Sequence, residues 1–167
     1  VPYVVTSSIH VYKYLGPLVT LTLQPGVTLK FAANLALQVG GGSASYPGAL
    51  VAAGSATQPI TFTTSNPTPA PGQWAGLSFY NGTGAATLLD YAVIEYGGYA
   101  GNDTNVYLNS VSPPIRHSTI RFSDGRGVYA TATAPVLEDT TIANNGTYGV
   151  FLTSGSGTSK PLLTNNT

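Results

Sequence analysis

The sequence predicts an all-β chain wound into a solenoid, and three observations carry that prediction. Short apolar–polar alternations recur: "VTLTL" (19–23), "VTLKF" (27–31), "LALQV" (35–39), "ITFTT" (60–64) and "GLSFY" (76–80). Each is bounded by Gly, Pro, Asn or Ser, the signature of strands closed by turns. Helical periodicity is hard to find, and 20 glycines and 12 prolines are spread through the chain. The second half then repeats itself. Ile94, Ile120 and Ile142 form one series of anchors, and Leu77, Val106, Val128 and Val150 form another. Both series step by roughly 20–30 residues, a period that marks solenoids. Pro114, Pro135 and Pro161 give a third anchor.

A coil of this length contributes two or three short strands and cannot bury its inward face alone. Stacking the next coil on it pairs the backbone and continues the core, at about 4.8 Å per rung. Six or seven rungs are expected, a rod of about 30 Å. Residues 1–18 are strand-like but lie outside the visible period, so they are expected to form an extension, a cap, or a strand offered to a neighbour. Residues 19–167 form the repeats, with an open C-terminal end: Pro161 to Thr167 matches Pro135 to Thr141 and stops before the next anchor isoleucine. With Val1 in first place, the expectation is a processed chain or a piece of a longer solenoid.

Composition narrows the functions. Only 7% of residues are charged, against about 25% in a typical soluble domain. The formal net charge is zero, which leaves no electrostatic footprint for nucleic acid. No apolar run approaches the ~20 residues of a spanning helix, so membrane insertion is not expected. Absent cysteine excludes disulfides, thiolate metal sites and Cys nucleophiles. A neutral surface rich in Thr, Asn, Gly and Tyr is poorly protected against self-association, which is the expected partnership.

Stacking makes equivalent positions neighbours, and the charges near the anchors follow that rule. Four residues before the isoleucine stand Asp90, Arg116 and Glu138; one after it stand Glu95 and Arg121; three before it stand Tyr91, His117 and Asp139. Opposite charges across one rung contribute about 0.2–1 kcal/mol each and help to fix register. A ladder of neutralised charges therefore explains Arg116, His117, Glu138 and Asp139 better than a catalytic cluster does. Asp103, Asp124 and Arg126 fall outside these columns and are the residues to suspect if the chain is an enzyme. His10 and His117 have no ligand spacing between them, and neither a metal nor a cofactor is expected.

Alternation along the strands places Ser78, Tyr107, Tyr129 and Phe151 on the outside. Three aromatic rings in register form a stripe suited to lateral contact, to stacking on a glycan, or only to bracing the sheet. Four N-x-T sequons, at Asn81, Asn102, Asn145 and Asn165, are candidate glycosylation sites.

"QPGVTLKF", "LALQVGG", "GALVAAGSATQPITFTTS", "GQWAGLSFYNG" and "LLDYAVIEYGG" resemble the right-handed parallel β-helix repeat proteins of microbial surfaces and secretions, the pectate-lyase-like solenoids. That resemblance covers roughly residues 19–152 and implies the fold and an extracellular or cell-surface location. It is weak for activity, because those proteins range from polysaccharide lyases to adhesins and surface-layer components. The expected function is a non-enzymatic structural protein: a self-assembling filament, surface-layer or adhesin subunit joined through open β-edges. The alternative is a carbohydrate-active or carbohydrate-binding module with a polysaccharide partner. Ice or mineral-surface binding through outward threonines ranks below both, because the threonine-bearing strands show no constant phase.

Overall fold

In the computed structural model, which describes residues 2–99, 101, 103–153 and 162–166, the alternating runs become short strands. No helix occurs among the described residues. The strands fall into three sheets. The first holds β1 (Pro2–Val5), β4 (Thr28–Phe31), β7 (Ile60–Thr64), β10 (Ala92–Glu95), β13 (Thr119–Arg121) and β16 (Thr141–Ala143). The second holds β2 (Ile9–Val11), β5 (Ala36–Val39), β8 (Gly76–Phe79), β11 (Thr104–Asn109), β14 (Arg126–Thr131) and β17 (Val150–Thr153). The third holds β3 (Val19–Leu23), β6 (Gly48–Ala53), β9 (Leu88–Asp90), β12 (Pro114–Arg116), β15 (Val136–Glu138) and β18 (Leu162–Thr164). Each strand pairs in parallel with the strand three places on, which is a β-solenoid of six turns.

The inward columns explain why the coils stack. Tyr3, Leu29, Phe62, Ile94, Ile120 and Ile142 are successive partners in the first sheet. Ile9, Leu37, Leu77, Val106, Val128 and Val150 are successive partners in the second. In the third, Leu23 faces Ala52, Ala52 faces Leu89, and Ile115, Leu137 and Leu163 follow. Within the rod, Phe62, Ile94, Leu77, Val106, Ile115 and Leu137 are fully buried, each contributing about 1.5–3 kcal/mol of transfer free energy for a large side chain. Trp74 lies flat on Phe31, with ring centroids 4.4 Å apart, and donates its indole N–H to the Glu95 carbonyl at 2.8 Å.

Two readings shift. Residues 1–18 contribute β1 and β2, which pair with β4 and β5 as ladder strands of the first turn. The period does not reveal them because the first-sheet column advances unevenly over its first three steps, from Tyr3 to Leu29 to Phe62 to Ile94. The proline anchor is off by one. Pro114 pairs with Val136, so Pro135 sits just ahead of its strand, where its carbonyl accepts the Leu162 N–H at 3.0 Å. Pro161 lies outside the described residues.

The corners turn on single residues in the left-handed region. Tyr91, His117, Asp139 and Asn165, with φ of 48°, 45°, 48° and 52°, follow the third sheet, and Tyr96, Phe122 and Asn144, at 62°, 55° and 53°, follow the first. This conformation costs a bulky residue about 1–2 kcal/mol. Stacking between turns offsets it: Tyr91 lies on His117 at 4.6 Å and Tyr96 on Phe122 at 5.2 Å.

Candidate functional site

The corner after the third sheet gathers most of the charge. Asp90, Arg116 and Glu138 are ladder partners, and the Arg116 Nε lies 3.1 Å from a Glu138 oxygen. His117 stands between two acids: its Nδ1 is 2.8 Å from Asp90 and its Nε2 is 3.6 Å from Asp139. The Asp90 hydrogen bond holds the imidazole pKa above its ordinary value against some desolvation, and the charges of Asp90, Asp139 and Glu138 add to the rise. In the first sheet Arg121 reaches Glu95 at 2.7 Å, and the Thr63 hydroxyl donates to the other Glu95 oxygen at 3.2 Å.

Below this layer the backbone is tied across turns. The Ser118 hydroxyl accepts the Ala92 N–H at 3.0 Å, and Asn166 Oδ1 accepts the Thr140 N–H at 2.9 Å. Both imidazole nitrogens face carboxylates and each arginine here faces an acid, so the chemistry of this corner is register-fixing attraction between turns. Among the described residues no group of three or more His, Asp or Glu side chains is arranged to hold a metal ion.

Asp103 and Asp124 occupy the stacked loops that follow the first sheet, and Arg126 opens β14 just after them. The Arg126 N–H donates to the Asp103 carbonyl at 2.6 Å, and the Asp124 N–H donates to the Gly97 carbonyl at 3.0 Å. Both acids are solvent-exposed. The Arg126 guanidinium lies over the rings of Tyr129 and Phe151, 4.9 and 4.7 Å from their centroids. The two loops and the start of β14 therefore bring these three residues to one region, where the Arg126 guanidinium lies on the aromatic stripe.

That stripe is in register, with Ser78, Tyr107, Tyr129 and Phe151 as successive partners. The rings tilt onto one another, at 5.2 Å for Tyr107–Tyr129 and 5.5 Å for Tyr129–Phe151. Tyr80 packs edge-on against Tyr107 and Tyr148 stacks on Phe151. Burial pushes the Tyr107 hydroxyl pKa up, Tyr80 and Tyr129 add to the shift, and the Asn109 amide hydrogen bond opposes it. Tyr107, Tyr129 and Phe151 are all half-buried, each ring tilted against the next. His10 heads the same column through Gln38, and packs edge-on against Tyr12.

The sequons differ. Asn81 and Asn165 are exposed at turns. Asn145 is half-buried, and its amide is in use: Oδ1 accepts the Ser123 N–H at 3.0 Å and Nδ2 donates to the Ile120 carbonyl at 3.3 Å. Asn102 lies outside the described residues.

Three features escape the sequence reading. The first is a threonine column: Thr28, Thr61, Val93, Thr119 and Thr141 are successive outward partners on the first sheet. The shared phase is confined to this one column: Val93 interrupts it, its neighbour carries Lys30, Glu95 and Arg121, and the β3 threonines Thr20 and Thr22 pair with Ala49 and Val51. The second is an apolar mouth of about 340 Å³ at the first turn, lined by Tyr3, Val5, Ile9, Leu23, Val27 and Leu29 among others. The third is a groove of about 560 Å³ beside the proline-rich 65–75 loop. The only sequence signal for that groove is the insertion "NPTPAPGQW" (66–74) between two strands. Comparison of the chain with family models, with curated proteins and with solved structures finds no match.

Proposed function

We propose that the chain is a non-enzymatic structural rod of an extracellular surface, assembling head to tail with a second copy of itself. The observation that supports this most is the mouth at the first turn. Its core columns open to solvent there, and Tyr3, Val4, Leu18 and Val19 are exposed beside it. Among the described residues strands β1, β2 and β3 each pair along one edge only, and an open edge is a template for another chain. The last described turn carries matching residues. Continuing each column would set Ile142 on Tyr3, Val150 on Ile9, Leu152 on Val11, Leu163 on Leu23 and Phe151 on His10. Leu152, Leu162 and Leu163 are exposed, so stacking removes apolar surface at both faces. Parallel continuation of this kind is heterologous and propagates into filaments where it does not close.

The extracellular assignment rests on the charge-poor composition and on the resemblance of the repeated phrases to pectate-lyase-like surface solenoids. Charges spent in ladder pairs support the non-enzymatic reading. Deleting residues 1–14 would only uncover β4 and β5 as a new edge, so a point substitution tests the idea better. Ile9→Lys sets a charge in the mouth and is expected to convert elongated particles, seen by negative-stain microscopy and light scattering, into monomers. Tyr129→Ala, on the stripe, should leave them intact. A monodisperse unmodified protein at high concentration would refute the proposal.

A further inference from the structure

The first two turns of the rod bring tyrosines together away from the ladders and the stripe. Tyr12 and Tyr14 stand between β2 and β3, and Tyr46 stands one turn further on, between β5 and β6. The Leu15 N–H donates to the Ser45 carbonyl at 2.8 Å and ties the two segments to each other. The Tyr14 and Tyr46 rings then lie with centroids 4.9 Å apart, tilted by 35°. Tyr12 meets the same Tyr46 ring edge-on at 5.8 Å.

One ring of the pair is fixed and the other is open to solvent. Tyr46 is half-buried and sits over Gly41, where a Cβ would lie only 2.4–2.9 Å from its Cβ, Cγ and Cδ1. Its N–H donates to the Ser43 carbonyl at 3.0 Å, and its carbonyl accepts the Gly41 N–H at 3.2 Å. Tyr14 is 60% exposed. A reagent in solution therefore reaches Tyr14, and Tyr46 waits in contact with it.

Among the described residues this is the closest and most nearly parallel pair of tyrosines. Tyr80 and Tyr107 cross at 73°, and Tyr107 and Tyr129 lie 5.2 Å apart at 47°. The stripe pair is also harder to oxidise. The Arg126 guanidinium lies 4.9 Å from the centre of the Tyr129 ring, and a fixed cation opposes removal of an electron beside it. At the first turn the nearby Lys13 stem lies instead against Gly16.

We propose that Tyr14 and Tyr46 are an oxidative modification site, coupled into dityrosine by a haem peroxidase using hydrogen peroxide. Each phenol gives up one electron and its hydroxyl proton, and the unpaired density spreads to the ring carbons beside the oxygen. The two radicals form a Cε–Cε bond, and the hydrogen on each coupled carbon passes to its oxygen, which restores both rings. The chain loses two hydrogen atoms, and one peroxide takes up two electrons and two protons to become two waters. Rings already in contact couple faster than rings that must meet by diffusion. The bond would staple the first turn, whose outer edge is open and which is the readiest to fray, to the second. This goes beyond the structural role and does not depend on assembly.

The test is treatment of the unmodified protein, in dilute solution, with a haem peroxidase and hydrogen peroxide. The expected product is a monomer on a denaturing gel that has gained dityrosine fluorescence and lost two hydrogen atoms by intact mass. Peptide mapping should join the segments holding Tyr14 and Tyr46, and closing that loop should raise the urea midpoint of unfolding. Tyr14→Phe and Tyr46→Phe keep the rings and should each abolish the product, whereas Tyr129→Phe should not. In urea, with the chain unfolded, the preference for this pair should vanish. Absence of a cross-linked monomer would overturn the proposal. So would a product that survives Tyr14→Phe, one that maps to Tyr107 and Tyr129, or a preference that persists in urea.

Discussion

The two halves of the rod are wound differently. In the first sheet the steps from Leu29 to Phe62 and from Phe62 to Ile94 are long, whereas those from Ile94 to Ile120 and from Ile120 to Ile142 are short. The wide turns are filled by Phe31, Phe62, Trp74 and Phe79, all fully buried, and the narrow ones by Val106, Ile120, Val128 and Ala130. Charge is distributed the opposite way. Ahead of Asp90 the chain carries only Lys13 and Lys30, while the ion pairs among the described residues all lie between Asp90 and Asp139. The extra residues of the long steps lie in exposed loops, 56–59 and 66–71, so the difference inside the rod is in side chains: aromatic rings pack the first half, and in the second half ion pairs between neighbouring turns carry more of the task of fixing register.

The largest test of that contrast is Trp74→Ala. It removes the ring stacked on Phe31 and the indole bond to Glu95, and should cost about 3–5 kcal/mol in urea unfolding. A cost no greater than that of Ile120→Val, about 0.5–1.5 kcal/mol, would show that volume does not hold the wide turns. Next is Asn105→Leu, where the halves meet. Asn105 is fully buried; it accepts the Gly97 N–H at 2.8 Å and donates to the Arg121 carbonyl at 2.8 Å. Leaving both groups unmet should cost about 1–3 kcal/mol each, read from the same unfolding curves.

The smallest effect is expected at His117. Its folded pKa is raised, so its contribution is fully present below the unfolded value near 6.5 and is lost as pH rises through the folded value. Asp90→Asn should flatten that slope. A slope unchanged by Asp90→Asn would remove Asp90 as its source.

The narrow half was legible because its spacings are nearly constant. Asp90, Arg116 and Glu138 keep a fixed offset from the isoleucines, so their contacts follow from counting. The column from Thr28 to Thr141 was hidden for the converse reason, since its steps shorten along the chain and defeat a fixed period. Corners were half legible. Asn144 and Asn165 suit a left-handed φ, but Tyr91 and Phe122 do not announce one, because what permits it is a ring on the neighbouring turn. Nothing in the letters distinguishes the sequon at Asn145 from that at Asn81; the difference lies in which amide the corner employs.

The ladders have a mechanical consequence. Hydrogen bonds between turns run along the rod, so a pull on its two ends loads the turns in series, and each fails by itself before the next is strained. One turn that lets go releases about 70–120 Å of chain when drawn straight. Under tension such a rod lengthens by steps and absorbs work at each one, a shock absorber with the shortest travel per step where its turns are narrowest.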